Sequence, residues 1–222
     1  MGEFSIPGKS NKQLLYVTFL LLLLCFFVLQ GCANDGRPRP TIENYIIDYP
    51  VPILEKRAQL NETIRFNRFT IAAAYNNQNM IFRQDIYSID SFNYNKWAVN
   101  PADMLADSLL RDMQASRLFR AVFSRYAAEE GRYIIQGGVG EFFLRIEKGS
   151  KTAVICLDIT LKDSQQREAT KRILFQKKYR QEESLKDQSP RGYCQAMSEA
   201  AQNISRQIIT DVYQAIKSSA NK

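Results

Sequence analysis

The chain has 222 residues, 30 Lys and Arg against 23 Asp and Glu, and no histidine. The missing imidazole excludes Ser-His-Asp and Cys-His catalysis and most transition-metal centres in one observation. The net charge of +7 suits an acidic partner or anionic lipid headgroups, but the cations are scattered, with short clusters at Lys171-Arg172 and Lys177-Lys178-Tyr179-Arg180, so a solvated surface explains it equally well.

Leu14 to Leu29 is an almost unbroken apolar run preceded by Lys9 and Lys12, and it ends in Leu29-Gln30-Gly31-Cys32. A charged front, an apolar middle and a small residue before a cysteine form the pattern of a bacterial lipoprotein signal. The expectation is a signal peptide over 1–31, cleavage between Gly31 and Cys32, and acylation of Cys32. The rival reading is an uncleaved transmembrane helix. The run has 16 residues, short of the roughly 20 a crossing needs, and no positive cluster follows it. Ala33 stands where an aspartate would signal retention in the inner membrane, so the expected location is the outer membrane, lipid-anchored and facing the periplasm. That compartment makes nucleic acid an implausible partner. Residues 32–43, with Arg37-Pro38-Arg39-Pro40, read as the acylated cysteine and an exposed tether. The remaining 191 residues carry 28 Lys and Arg against 22 Asp and Glu, enough for one domain with a sizeable core.

Asn44 to Tyr49 reads as a short strand stopped by Pro50 and Pro52. Thr63 to Ala73 reads as another, with a phase change at Asn67-Arg68 that suggests a bulge. Asn76 to Asn79 is a turn, Met80 to Arg83 a brief strand, and Ile86 to Trp97 an irregular or hairpin segment. Asn100-Pro101-Ala102-Asp103 predicts a helix start, because Asn caps, Pro suits the first position and Asp complements the dipole. Leu105, Leu109 and Met113 then share one face to about Ser116. Leu118 to Phe123 reads as a strand. Arg132–Ile146, Thr152–Leu161 and Ala169–Glu182 predict an antiparallel meander, with Gly137, Gly138 and Gly140 permitting a bulge, a bend or close packing. In the third of these, Ile173, Phe175 and Tyr179 are expected to face inward. Ser189-Pro190 opens a final helix from about Gly192 to Lys217, leaving 218–222 as a tail. The expected fold is α+β: a mainly antiparallel sheet of five or six strands with two long helices on one face.

Two cysteines remain beyond Cys32. Cys156 and Cys194 would sit in an oxidising compartment and are candidates for a disulfide, against a reading as buried free thiols. Tyr75, Phe82, Tyr87, Phe92, Tyr94 and Trp97 crowd one stretch; they could line a lipid-holding groove or docking face, or fill the core beneath a hairpin. No phosphate loop is present: Gly2 and Gly8 are separated by five residues instead of four, and the segment belongs to the signal. Neither a metal nor a cofactor is expected, and no catalytic residue is assigned.

The order of these segments carries a resemblance. Tyr45-Ile-Ile-Asp-Tyr-Pro50, Ile64 to Tyr75, Met80-Ile-Phe-Arg83, Tyr94 to Trp97-Ala98, Pro101-x-x-Met104-Leu105 with Leu109, Leu118-Phe119-Arg120-Ala121-Val122 and Tyr133-Ile-Ile-Gln-Gly137 together resemble the ABC-type transport auxiliary lipoprotein family. The resemblance spans Asn44 to Ile216 and implies a domain over 44–217. It implies a non-enzymatic subunit of a system moving phospholipids between the inner and outer membranes. The implied partners are a mammalian-cell-entry (MCE) domain protein and, through it, an inner-membrane permease and ATPase. Homo-oligomer and monomer stay open. Arg83, Tyr87, Tyr94 and Trp97 are the candidates for partner or lipid contact. The alternative is a structural or assembly lipoprotein that scaffolds another outer-membrane complex.

Overall fold

The computed structural model describes residues 15–23 and 40–220. The chain divides into two units, residues 1–40 and 41–222. In the first, residues 15–23 form helix α1 with exposed apolar side chains. Among the described residues no helix is long and apolar enough to cross a membrane. Gly31, Cys32 and the expected cleavage site lie outside the described residues.

The second unit runs β1 (Glu43–Tyr45), β2 (Leu60–Phe66), β3 (Thr70–Ile71), β4 (Asn79–Arg83), β5 (Asp90–Trp97), α2 (Pro101–Ser116), β6 (Phe119–Phe123), β7 (Tyr133–Glu147), β8 (Ser150–Asp163), α3 (Ala169–Arg172), β9 (Ile173–Ser184) and α4 (Pro190–Ala220). The fold is α+β, but the expected sheet and helices need correction. The described strands form one nine-stranded mixed sheet. Among the described residues only α4, with 31 residues, is a long helix; α2 has 16. The five or six mainly antiparallel strands fail as an expectation because alternation records which face a strand buries and carries no information on the direction of its neighbour.

β7 is the spine. One of its edges pairs along its length with β8, antiparallel, and β8 pairs in turn with β9, so the predicted meander is present. Lys148 and Gly149, both at positive φ (45° and 84°), make the tight turn between β7 and β8, the geometry that suits a two-residue hairpin loop. The other edge of β7 is shared by three short strands, all parallel to it: β2 at Tyr133–Ile135, β3 at Gly138–Val139 and β4 at Leu144–Arg145. β6 extends the sheet beyond β2 and β1 extends it beyond β5, both in parallel. The predicted strand over Thr63 to Ala73 is therefore two strands, broken where the phase changes at Asn67-Arg68. At Gly137 the backbone packs so closely against the Phe69 ring that a Cβ would sit 2.5 Å from it. The register of β7 against β8 shifts between Val139 and Glu141.

Helix α2 starts as its sequence predicts: Asn100 Oδ1 accepts from the Ala102 amide at 3.0 Å, Pro101 follows, and Asp103 lies in the first turn. Arg117, at φ 54°, ends it. Helix α4 lays Tyr193, Met197, Ala200, Ile204, Ile208 and Val212 into the core. In β9, Tyr179 is buried, Phe175 packs partly against the core, and Ile173 is exposed because it opens the strand beside the α3 turn.

Three carboxylate clusters, two of them on buried aspartates, tie the layers. Asp112 of α2 is fully buried; its Oδ2 accepts from Tyr49 Oη (2.9 Å) and from Ser205 Oγ of α4 (2.7 Å), and its Oδ1 from Arg111 Nε (3.0 Å). Arg111 also stacks 4.7 Å over the Tyr49 ring. Asp163, buried at the end of β8, accepts from Arg132 Nη2 at 3.0 Å, and Arg132 bridges on to Glu62 of β2. Asp211 of α4 accepts from Tyr179 Oη of β9 at 2.8 Å and from Lys177 Nζ at 2.6 Å. Burial, followed by the neighbouring carboxylate, pushes both the Tyr49 and the Tyr179 hydroxyl well above the ordinary tyrosine range, so both stay protonated as donors.

Candidate functional site

The aromatic stretch between Tyr75 and Trp97 separates into two groups. Trp97, 1% exposed, packs edge-on against Phe142 of β7 (5.3 Å) and Tyr193 of α4 (5.5 Å). Phe92 joins Tyr193 at 6.4 Å and Phe82 at 5.3 Å. The Tyr193 hydroxyl donates to the Ile81 carbonyl at 3.2 Å, which fastens α4 to β4. Tyr75 is buried and stacks on Phe143. These rings belong to the core, where such pairs add cohesion beyond their buried area.

The turn between β4 and β5 is the opposite case. Ile86 is 73% exposed, Tyr87 93% and Ile89 48%. Asp85 organises the turn: Oδ1 accepts from the Tyr87 and Ser88 amides, both at 2.7 Å, and Oδ2 accepts from Ser88 Oγ at 2.9 Å. These bonds hold the Asp85 carboxyl below the usual carboxylate range. Arg83 lies 5.1 Å over the Phe143 ring and donates through Nη2 to the Ile86 carbonyl. It therefore joins the turn to the sheet. Tyr94, half exposed, stands in β5, one register step before the Asn95–Glu43 pair, and the partly exposed Ile42 precedes β1 at that level.

Of the four contact candidates, then, Tyr87 and Tyr94 are accessible, Arg83 supports the turn and Trp97 is interior. Ile86 and Ile89 were missed as candidates. Their signal was present: two isoleucines flank Tyr87 and Ser88 in a turn otherwise made of Gln84, Asp85 and Asp90.

Cys156 and Cys194 are free thiols. Cys156 is buried in β8, at the register of Arg180 and Glu141. Cys194, on α4, donates to the Ile46 carbonyl at 3.0 Å. Burial raises both thiol pKa values, so neither is poised as a nucleophile. Beside Cys156 lies an ionic cluster. Arg145 and Arg180 both donate to Glu182, and Arg180 Nε reaches Glu141 at 2.8 Å. The Arg145 hydrogen bonds, then those of Arg180, hold Glu182 down at about 2. Among the described residues no group of three or more Cys, Asp or Glu is arranged to hold a metal ion.

The family described as the ABC-type transport auxiliary lipoprotein component matches residues 49–209. Among curated proteins none matches the sequence. A crystal structure of a Xanthomonas campestris protein of family DUF330 is similar at a TM-score of 0.67 and 15% identity, covering 82% of this chain and 97% of that one. A second solved protein, described as uncharacterized, is similar at 0.62 and 10% identity, covering 78% and 99%. At these identities the two structures speak for the fold alone.

Proposed function

This chain belongs to the family of ABC-type transport auxiliary lipoprotein components, and from that membership we propose that it is a non-enzymatic outer-membrane lipoprotein serving an MCE-type transporter. The system would move phospholipid between the inner and outer membranes. The observation that carries the reading is the family match over 49–209, which spans most of the folded unit. The lipoprotein signal ending at Gly31-Cys32 supports the anchor, and Ala33 after it supports the outer membrane. The absence of histidine from the sequence removes the commonest general base and accords with a subunit that leaves ATP hydrolysis to the inner-membrane ATPase. Tyr87 and Tyr94 are the accessible contact candidates, facing either lipid or the MCE protein.

The test is affinity purification of the full-length, acylated protein from gently solubilised envelopes. An MCE-domain protein, with its permease and ATPase, should co-elute. Recovery of this protein with secretion or outer-membrane assembly components, and no MCE protein, in a preparation where the transporter stays intact would refute the reading.

A further inference from the structure

We propose that the β4–β5 turn is a membrane-contact element, with Ile86, Tyr87 and Ile89 resting in the interfacial layer of the leaflet that holds acylated Cys32. The inference rests on the lipoprotein reading above and deepens it.

Three apolar side chains stand together in solvent, two of them more than 70% exposed. They are presented on a turn already fixed by Asp85 and Arg83. An exposed apolar group on a preorganised support is a contact surface in waiting. Tyrosine flanked by isoleucine suits the membrane–water boundary in particular, since its ring is apolar and its hydroxyl stays wet.

The course of the chain points this turn at the bilayer. β4 runs parallel to β7 and pairs with its last residues, so the β4–β5 turn lies at the end of the sheet where β7 finishes. β5 returns antiparallel to β4, and β1 runs parallel to β5, with Glu43 level with Asn95. β1 therefore enters the sheet heading away from the turn. Thr41 and Ile42, which lead into β1, therefore lie on the turn's side of it. Cys32 is nine residues upstream of Thr41, a reach of at most about 30 Å. The 15 residues of β7 span roughly 50 Å. An acyl anchor on so short a tether holds the turn's end of the sheet, and not its far end, against the lipid.

Charge does not drive the contact. At this end of the sheet Lys148, Lys151, Lys186 and Arg191 stand against Asp85, Asp90, Glu147 and Asp187, so the two signs balance. The interaction is apolar and should be indifferent to anionic lipid.

The experiment uses the full-length, acylated protein in phosphatidylcholine vesicles, with Tyr87→Trp in one preparation and Tyr126→Trp in another. Tyr126 is 80% exposed in the loop that leads to the start of β7. Trp97 is a constant, buried background. Lipids brominated near the glycerol backbone should quench the Tyr87→Trp emission about twofold or more and shift it to the blue, leaving Tyr126→Trp unaffected. Adding phosphatidylglycerol should change neither result. If the protein floats with vesicles but Tyr87→Trp is as open to acrylamide as Tyr126→Trp, the inference fails and the anchor stands. If the acylated protein does not float, the anchor reading fails and the inference falls with it. Protection of Tyr87→Trp that needs added MCE-domain protein, with no quenching by brominated lipid, overturns the inference in favour of protein docking.

Discussion

Asp112 shows how a single side chain can join three parts of this fold. It sits on α2, accepts from Tyr49 ahead of β2 and from Ser205 on α4, and is paired with Arg111. Removing it would strand the Tyr49 and Ser205 hydroxyls in a dry interior and take from Arg111 its buried carboxylate, which costs far more than the net worth of any one of these bonds. Asp112→Ala should therefore lose about 3 kcal/mol of unfolding free energy, read by denaturant melts, with Asp112→Asn recovering part of it. Glu182 gives a pH dependence instead. Its folded pKa of about 2 lies below the ordinary glutamate value of 4.5, so its ion pairs stabilise the folded state fully above pH 4.5. That contribution fades as pH falls toward 2. The side chain is about one-third exposed, so screening leaves roughly 1 kcal/mol. Glu182→Gln should lower the Tm at pH 7 by about 2–4 °C and flatten its decline between pH 5 and 2. An unchanged slope in thermal melts would show that the cluster contributes nothing to folding.

At the level of elements, the sequence was most readable where local chemistry decides the outcome. Asn100-Pro101 placed the start of α2, and Leu105, Leu109 and Met113 marked its buried face, because helix caps and helical periodicity act within a few residues. Alternation found β8 for the same reason. The glycines of β7 were only half interpretable. The sequence gives them freedom to bend or pack closely; the fold uses Gly137 to admit the Phe69 ring. Gly137→Ala should cost about 1–3 kcal/mol, because that ring is buried and cannot yield cheaply. The comparison at Gly138, where the nearest atom to an added Cβ is Thr70 Oγ1 at 3.3 Å, should show a smaller loss in the same denaturant assay. The β4–β5 stretch reads in the sequence as an irregular or hairpin segment, but its apolar tip does not, since periodicity reports burial and says nothing about a group placed outside.

At the scale of the whole molecule, strand order and direction escaped the sequence almost completely. β2, β3 and β4 meet β7 only across long separations: Ile64 pairs with Tyr133 and Phe82 with Leu144. No short-range signal encodes such partners, which is why a meander was visible and a mixed sheet was not. The way β7 serves three earlier strands also orders events in time. A polypeptide delivered amino end first would release β2, β3 and β4 with no β7 to complete them, and Tyr133, the first residue of β7 to pair, comes 69 residues after its partner Ile64. The β4–β5 hairpin can zip early and the β7–β8–β9 meander late, each by itself. Joining them is the slow event, and until it happens the hydrophobic strands of the first half stand open to chaperones and to one another.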